Sequence, residues 1–152
     1  KPRTTEYSQE EVMSAVEALH PAIEIPDSRF HDFNIVGEAF LIADNACAHD
    51  FVIGPPMPDT WRSMDLSKHS VTISILDSEP TREIGSNVLG DPRIALTWLA
   101  NELSQNNISL IEGAIVATGT CTTPIKIKAG DTITAEYGVL GQIQTAFAAD
   151  DR

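Results

Sequence analysis

One glutamate stands in an apolar setting that could give it a chemical role. Glu24 lies between Ile23 and Ile25 in a segment that has the character of an extended strand. An ionised carboxylate is costly to bury, so buried acidic side chains pair with a cation or bind a metal ion. Two interpretations are open. Glu24 either forms a structural ion pair with Arg29, or it is a metal ligand.

Other carboxylates lie near turns in the same part of the sequence. Asp27 follows Glu24 closely, and Asp44 begins a polar loop with Asn45. Mg²⁺ and Mn²⁺ prefer oxygen ligands, usually a few carboxylates completed by water and substrate oxygens. One glutamate cannot hold such an ion alone. The four histidines show neither HxH nor HxxxH spacing, which argues against a zinc site.

A threonine-rich segment follows an apolar stretch near residue 118. It contains Thr118, Gly119, Thr120 and Cys121 and continues to a proline at position 124. Hydroxyl groups and free backbone amides after a strand can bind a carboxylate or an enolate oxygen. The alternative is an ordinary threonine-rich β-turn. The sequence leaves both interpretations open.

Length and charge limit the classes of function. The 152 residues are enough for a single domain with a real core, and the net charge of -12 argues against nucleic acid as a partner. No apolar run is long enough to span a membrane. The two widely spaced cysteines are typical of a reduced, intracellular protein, so we expect a cytoplasmic location.

Two helices are predicted to hold these segments in place. Ser8 to Glu11 has the pattern of a capping box, which predicts an amphipathic helix over residues 8–19. Asp91 and Pro92 are typical of an N-cap and first helical position, and this second helix should end near Asn106. Its apolar face is expected to pack on the sheet; that face comprises Ile94, Ala95, Trp98, Leu99 and Leu103.

Most of the remaining sequence favours β-structure. We expect residues 57–68 to be irregular and solvent-facing, and a turn at residues 129–131 to make a hairpin of the strands beside it. The expected strands are residues 22–25, 33–42, 51–54, 71–76, 114–118, 125–127, 132–137 and 142–147. The predicted fold class is α+β, rich in β-structure, with two short helices in one domain. Strands and helices do not alternate, which excludes a doubly wound dinucleotide fold.

Several motifs, taken in order, resemble the C-terminal part of the fumarylacetoacetate hydrolase superfamily. The closer resemblance is to its 2-keto-4-pentenoate hydratase and 4-oxalocrotonate decarboxylase branch. The matching segments are PAIEIPDSR at 21–29, ADNA at 43–46, FVIG at 51–54, LGDP at 89–92, ALTWLAN at 95–101, GT at 119–120, AGDT at 129–132 and GVLG at 138–141. The resemblance implies a mixed β-roll core and a Mg²⁺ or Mn²⁺ site.

The same resemblance implies roles for individual residues. Glu24 would be one of three acidic metal ligands, the other two being a Glu-x-Glu pair that would fall before Lys1. Residues 1–152 are therefore expected to be a single catalytic-type domain from a longer chain, inactive if those other ligands are absent. Asp44 and Thr120 are the expected catalytic residues. The expected substrate-binding residues are Asn45, Ala46, Thr118 and Gly119.

The function implied is that of a metal-dependent lyase in aromatic catabolism. A hydratase would add water to 2-hydroxypenta-2,4-dienoate or a similar small 2-oxo acid. The alternatives are a 4-oxalocrotonate-type decarboxylase, an acylpyruvate C–C hydrolase, and a non-catalytic binding module if the chain is complete. The expected assembly is a homo-oligomer, or a complex of hydratase with decarboxylase, with neither nucleic acid nor membrane as partner.

Overall fold

Six strands form two antiparallel sheets in the computed structural model, which describes residues 1–149. The smaller sheet pairs β1 with β2, and the larger has the strand order β4-β3-β5-β6. Together with the helices, this is an α+β arrangement. The elements are α1 Gln9–Ser14, β1 Ala22–Ile25, α2 Glu38–Ala43, β2 Asp50–Ile53, β3 Ser70–Ile75, β4 Thr81–Ile84, α3 Pro92–Gln105, β5 Thr132–Glu136 and β6 Gln142–Ala146.

The core lies between the two sheets. Ile23 of β1 packs with Ile133 and Ala135 of β5 and with Ile143 of β6, and all four side chains are buried. Full burial of one isoleucine side chain is worth about 1.5–3 kcal/mol. This cluster therefore fixes the short β1–β2 pair against the larger sheet. The Tyr137 hydroxyl donates a hydrogen bond to the Ala22 carbonyl and joins the sheets at a second point.

The first helix begins as predicted but ends early. Ser8 accepts a hydrogen bond from the Glu11 amide, and the Glu11 carboxylate accepts one from the Ser8 amide, which confirms the capping box. The helix ends at Ser14. At this end the Arg62 guanidinium donates hydrogen bonds to the carbonyls of Met13 and Val16. The prediction of a helix to residue 19 is wrong.

The second predicted helix is α3, and its caps are confirmed. Asp91 accepts a hydrogen bond from the Arg93 amide, and Asn106 is the C-cap. The helix packs against α1. The expectation that its apolar face packs on the sheet is wrong for part of that face, because the side chains of Ile94 and Trp98 remain 46% and 58% exposed.

Residues 33–42 form no strand, which corrects another expectation. Residues 38–43 form α2 instead, since this run contains alanine, leucine and glutamate, which are good helix formers. Phe40 and Ile42 on this helix are exposed, as is Ile35 before it.

Two further strands were expected along residues 114–118 and 125–127. Neither segment forms a strand or a helix within the described part of the chain, residues 1–149. The turn at residues 129–131 does form, with the Asp131 amide donating to Lys128. It makes no hairpin, because β5 pairs with β3 and β6.

The segment at residues 57–68 is less exposed than expected. It contains two short 3₁₀ turns, Asp59–Ser63 and Leu66–Lys68. Trp61 and Leu66 on these turns pack with Leu140 in a second buried cluster. Strand β4 is an element that the sequence analysis missed. No helix within residues 1–149 combines the length and the apolar character needed to cross a membrane.

Candidate active site

A large cavity runs beside β1. Its volume is about 1260 Å³, and its walls are mostly apolar. Its lining includes β1 with Phe51 of β2, the segment 108–125, and Ile133 and Ala135 of β5. The cavity therefore brings the glutamate of β1 and the threonine-rich segment onto one surface, although 94 positions separate Glu24 from Thr118 in the sequence.

The position of Glu24 follows from strand alternation. Successive side chains of a strand point to opposite faces, so Ile23 enters the core and Glu24 points away from it. Glu24 is exposed and lines the cavity opposite Phe51, its partner in the β1–β2 register. The expectation of a carboxylate buried between two isoleucines is wrong. Glu24 as a metal ligand stays a prediction.

Arg29 does not pair with Glu24. Its Nε atom donates to the Asp44 carboxylate, and Glu24 has no ion pair within residues 1–149. The alternative interpretation, a structural ion pair between Glu24 and Arg29, is therefore wrong. The carboxylate of Glu24 has no cationic side chain as a partner in the described part of the chain, and so it is available to another cation.

The Asp44 carboxylate is buried and accepts three hydrogen bonds. It accepts hydrogen bonds from the Ser28 hydroxyl at 2.6 Å and from the Arg29 amide at 3.2 Å, besides that from Arg29 Nε. The Ser28 hydrogen bond, followed by the Arg29 guanidinium, lowers the pKa of Asp44 below its usual value. Asp44 is not among the residues that line the cavity.

The loop after Asp44 has an unusual backbone. Asn45, Ala46 and Cys47 have φ angles of 56°, 52° and 61°, so three successive residues are left-handed. Left-handed geometry costs L-residues roughly 1–2 kcal/mol each, and surrounding contacts must compensate. Cys47 is buried, and its carbonyl accepts a hydrogen bond from the Asp27 amide. Asn45 and Ala46 are exposed and lie outside the cavity wall, so the predicted roles of both at the substrate stay predictions.

The threonine-rich loop contributes free hydrogen-bond donors. Thr118, Gly119, Thr120 and Cys121 all line the cavity. The Thr120 hydroxyl oxygen accepts a hydrogen bond from the Thr122 amide at 3.3 Å, as a threonine turn requires, and the hydroxyl also donates to the Thr122 carbonyl at 2.8 Å. The backbone N–H groups of Gly119, Thr120 and Cys121 donate to no acceptor within residues 1–149. The loop is thus a local threonine turn that also presents unpaired donors.

The comparisons with known proteins fit this architecture. The model of the fumarylacetoacetate (FAA) hydrolase C-terminal family matches residues 1–148. The chain belongs to this family. The predicted family resemblance is therefore confirmed.

The relatives within the family are lyase-type enzymes by name. A 2-keto-4-pentenoate hydratase of Paraburkholderia xenovorans strain LB400 is 30% identical over 97% of this chain and 54% of its own length. A 4-oxalocrotonate decarboxylase of Pseudomonas putida G7, complexed with magnesium and adipate, has a TM-score of 0.80 at 27% identity, covering 91% of this chain and 52% of that one.

The same decarboxylase complexed with calcium and acetate gives a TM-score of 0.78 at 28% identity, with 91% and 51% coverage. These solved structures confirm the predicted fold class. The chain spans about half the length of the relatives it matches.

A family metal site is only partly provided by the described residues. Within residues 1–149, no group of three or more histidine, cysteine, aspartate or glutamate side chains is placed to hold a metal ion. Glu24 is the carboxylate on β1, is exposed and belongs to the residues that line the cavity. This donor set does not fit a complete Mg²⁺ shell, which needs several oxygen ligands. Glu24 can serve as one ligand of such a shell.

Sequence analysis missed several residues around the cavity. His69 Nε2 lies 2.7 Å from the Tyr137 carbonyl oxygen, and both residues line the wall. Burial raises the pKa of Tyr137 to about 12. The Asn87 side chain donates to the Cys121 carbonyl at 2.8 Å across a separation of 34 residues. Only the fold brings these groups together, so local sequence patterns carried no signal for them.

Proposed function

We propose that this chain is part of a divalent-metal-dependent lyase that acts on short unsaturated 2-oxo acids. The reaction we favour is that of a 2-keto-4-pentenoate hydratase. The observation that supports it is that one cavity is lined both by Glu24 and by the Gly119 to Cys121 loop, whose backbone amides donate to no acceptor within residues 1–149. The names of the most similar relatives point to the same reaction class.

In this proposal residues 1–152 are one catalytic-type domain, and Glu24 supplies one metal ligand. The remaining carboxylate ligands come from outside the described residues. A bound Mg²⁺ or Mn²⁺ ion would supply Lewis-acid polarisation of the 2-oxo acid. Asp44, a buried carboxylate that pairs with the largely exposed Arg29 guanidinium, would support the loop that carries Asn45 and Ala46 at the edge of the site.

The cavity walls suit the chemistry of such a substrate. The free N–H groups of Gly119, Thr120 and Cys121 can receive a carboxylate or the developing enolate oxygen. The Thr118 and Thr120 hydroxyls lie beside them. The apolar part of the lining, including Phe51 and Ile115, can receive the hydrocarbon tail of the substrate and limit the access of water.

The balanced reaction for the hydratase is simple. Water adds across the distal double bond of 2-hydroxypenta-2,4-dienoate, and the dienol becomes the ketone, which gives 4-hydroxy-2-oxopentanoate. A decarboxylase would instead release carbon dioxide from a dicarboxylic 2-oxo acid through a similar dienolate. Both reactions need stabilisation of the same oxyanion.

The test uses the full-length natural polypeptide that contains this sequence. The protein is stripped with a chelator, reloaded with Mg²⁺ or Mn²⁺, and given 2-hydroxypenta-2,4-dienoate or 4-oxalocrotonate. Loss of dienol absorbance without carbon dioxide supports the hydratase, and carbon dioxide release identifies the decarboxylase. Turnover of neither compound with either metal would contradict the proposal.

A pair of variants tests the role of Glu24. Glu24→Gln removes a charged ligand, so the dissociation constant for Mn²⁺ measured by calorimetry should rise by roughly 100-fold or more. Glu38→Gln is the matched control, since Glu38 is an exposed carboxylate on α2 away from the cavity. Equal affinities in the two variants would exclude Glu24 as a ligand.

A further inference from the structure

The segment at residues 115–127 has very few hydrogen bonds to the rest of the fold. It lines the cavity but belongs to no sheet of the described chain. Within residues 1–149, one hydrogen bond joins it to other residues: Asn87 Nδ2 donates to the Cys121 carbonyl at 2.8 Å. The hydrogen bonds between Thr120 and Thr122 are internal to the segment. The hydrogen-bonded attachment of this segment to the rest of the described fold therefore depends on a single side chain.

The Asn87 side chain is itself oriented. Its amide nitrogen also lies 3.0 Å from the Glu83 carboxylate on β4. Both partners are acceptors, and only the NH₂ group of an asparagine can donate to two acceptors at once. Glu83 thus fixes the rotamer in which Asn87 reaches Cys121.

The turn that carries Asn87 is rigidly held. Gly85 begins this turn, and its amide donates to the His69 carbonyl at 2.9 Å. A Cβ atom at position 85 would lie 2.0 Å from the Leu66 carbonyl oxygen, so the turn sits directly on the Leu66–Lys68 turn. Asn87 therefore projects from a base that cannot shift easily.

A second contact reaches the same loop. Val88 follows Asn87 and is buried, with 4% of its surface exposed. A Cβ atom at Gly119 would come within 3.3 Å of Val88 Cγ1, so the Val88 side chain packs closely against the Gly119 backbone. Gly119 also has a φ angle of 120°, which favours glycine. Asn87 contacts Cys121 and Val88 contacts Gly119, so the two residues that flank Thr120 are both held.

We propose that Asn87 is a positioning residue, which fixes the loop that presents the free amides of Gly119, Thr120 and Cys121 to the cavity. Its effect on catalysis rests on the proposed function, whereas its effect on the loop does not. A hydrogen-bond donor is useful to an oxyanion only when its direction is fixed before the reaction. Removal of the Asn87 amide should therefore loosen the loop and weaken turnover without removing any group that touches the substrate.

The test compares Asn87→Ala and Asn87→Asp with Asn106→Ala in the full-length, metal-loaded protein. Asn87 is exposed, so the variants should fold. Asn87→Asp places a carboxylate, which can only accept, against the Glu83 carboxylate and the Cys121 carbonyl. It should therefore be the more damaging change. Asn106 is the matched control, because its side chain also donates to a backbone carbonyl at 2.8 Å, at the end of α3, and it is not among the residues that line the cavity.

Cys121 provides a built-in probe of the loop. The rate at which a thiol reagent modifies Cys121 is followed by peptide mass spectrometry, with buried Cys47 as the internal reference. Both Asn87 variants should speed modification of Cys121 on the order of 10-fold and lower kcat for the dienoate by roughly 10-fold, whereas Asn106→Ala should change neither. A melting temperature close to that of the wild type would show that the fold is retained.

The two readouts separate this proposal from the proposed function. Unchanged modification of Cys121 in both variants would overturn the anchoring role. Faster modification with unchanged kcat and KM would overturn the positioning role in catalysis. A wild-type protein that turns over neither substrate refutes the proposed function, and the rate of Cys121 modification then still decides whether Asn87 anchors the loop.

Discussion

The Nε atom of Arg29 donates a hydrogen bond to the buried carboxylate of Asp44. The guanidinium is largely exposed, whereas the Asp44 side chain is only 4% exposed. The pair ties the loop after β1 to the C-terminal end of α2. The contact between the Asp27 amide and the Cys47 carbonyl lies beside it and ties the same two segments. This pair therefore stabilises the left-handed turn that follows Asp44.

Asp44→Asn should destabilise the protein. The substitution leaves the Arg29 guanidinium without its anionic partner and weakens the hydrogen bond from Ser28, so we expect the melting temperature to fall by several degrees, on the order of 5 °C. Thermal unfolding followed by circular dichroism measures this. Glu38→Gln, an exposed carboxylate variant, should leave the melting temperature nearly unchanged.

The same pair predicts a dependence on pH. The folded-state pKa of Asp44 is lowered, so its contribution to stability is complete above the unfolded pKa of about 3.9 and is lost as pH falls through the folded value. The difference in melting temperature between wild type and Asp44→Asn should therefore shrink below about pH 4. A difference of equal size at pH 3 and pH 7 would contradict this account of Asp44.

Local signals in the sequence predicted the elements that local chemistry controls. The Ser8 capping box, the Asp91 N-cap and the alternating strand β3 depend on residues within a few positions of one another. The strands expected over residues 33–42, 114–118 and 125–127 did not form, because apolar composition alone does not distinguish a paired strand from a helix or an irregular segment. Strand pairing is set by distant partners.

The candidate site was predictable only in part, for the same reason. Neighbours at i±1 in a strand point to the other face, so Ile23 and Ile25 say little about the burial of Glu24. The family resemblance pointed to Glu24 and the loop at Thr118 to Thr120, and the fold places them on one cavity. Asn87 could not have been found this way, because its contact joins residues far apart in the chain.

Tyr137→Phe should weaken the link between the two sheets. The variant keeps the ring and loses the hydrogen bond to the Ala22 carbonyl, which is expected to cost about 1 kcal/mol. Denaturant unfolding at neutral pH measures this loss. Because the Phe variant preserves packing, an unchanged free energy of unfolding would mean that the hydroxyl contributes nothing to stability.

The ionisation of Tyr137 gives a spectroscopic prediction. Burial raises its pKa to about 12, so the absorbance change at alkaline pH that is present in wild type and absent in Tyr137→Phe should have its midpoint near that value. Because the folded-state pKa is raised, the contribution of protonated Tyr137 to stability is complete below the unfolded pKa of about 10. It is lost as pH rises towards the folded pKa. A difference titration centred near pH 10 would show that the hydroxyl is not buried.

Gly85→Ala should be among the most damaging small substitutions in the chain. The new Cβ atom would meet the Leu66 carbonyl oxygen at 2.0 Å, so the backbone of one turn must move. We expect a loss of stability on the order of 3 kcal/mol in denaturant unfolding.

Gly113→Ala is the control for this variant. The space around Gly113 is open, and only its φ angle of 77° opposes the change, at about 1 kcal/mol. Equal losses in the two variants would mean that the Leu66–Gly85 contact is not tight in solution.

Glu11→Gln should show how much the capping box depends on charge. The Glu11 carboxylate accepts two hydrogen bonds from Arg3, at 2.8 and 2.6 Å, and one from the Ser8 amide. Arg3 first, and then Ser8, lower its pKa to about 2. Its stabilising effect should therefore be complete above about pH 4.3 and be lost as pH falls towards 2.

Glu10→Gln is the matched control, since Glu10 lies next to Glu11 and has no ion pair within residues 1–149. Melting temperatures of the two variants should differ at pH 7, converge near pH 2, and lie closer together in high salt, because the Arg3–Glu11 pair is partly exposed. Identical melting temperatures at pH 7 in low salt would show that this pair does not stabilise α1.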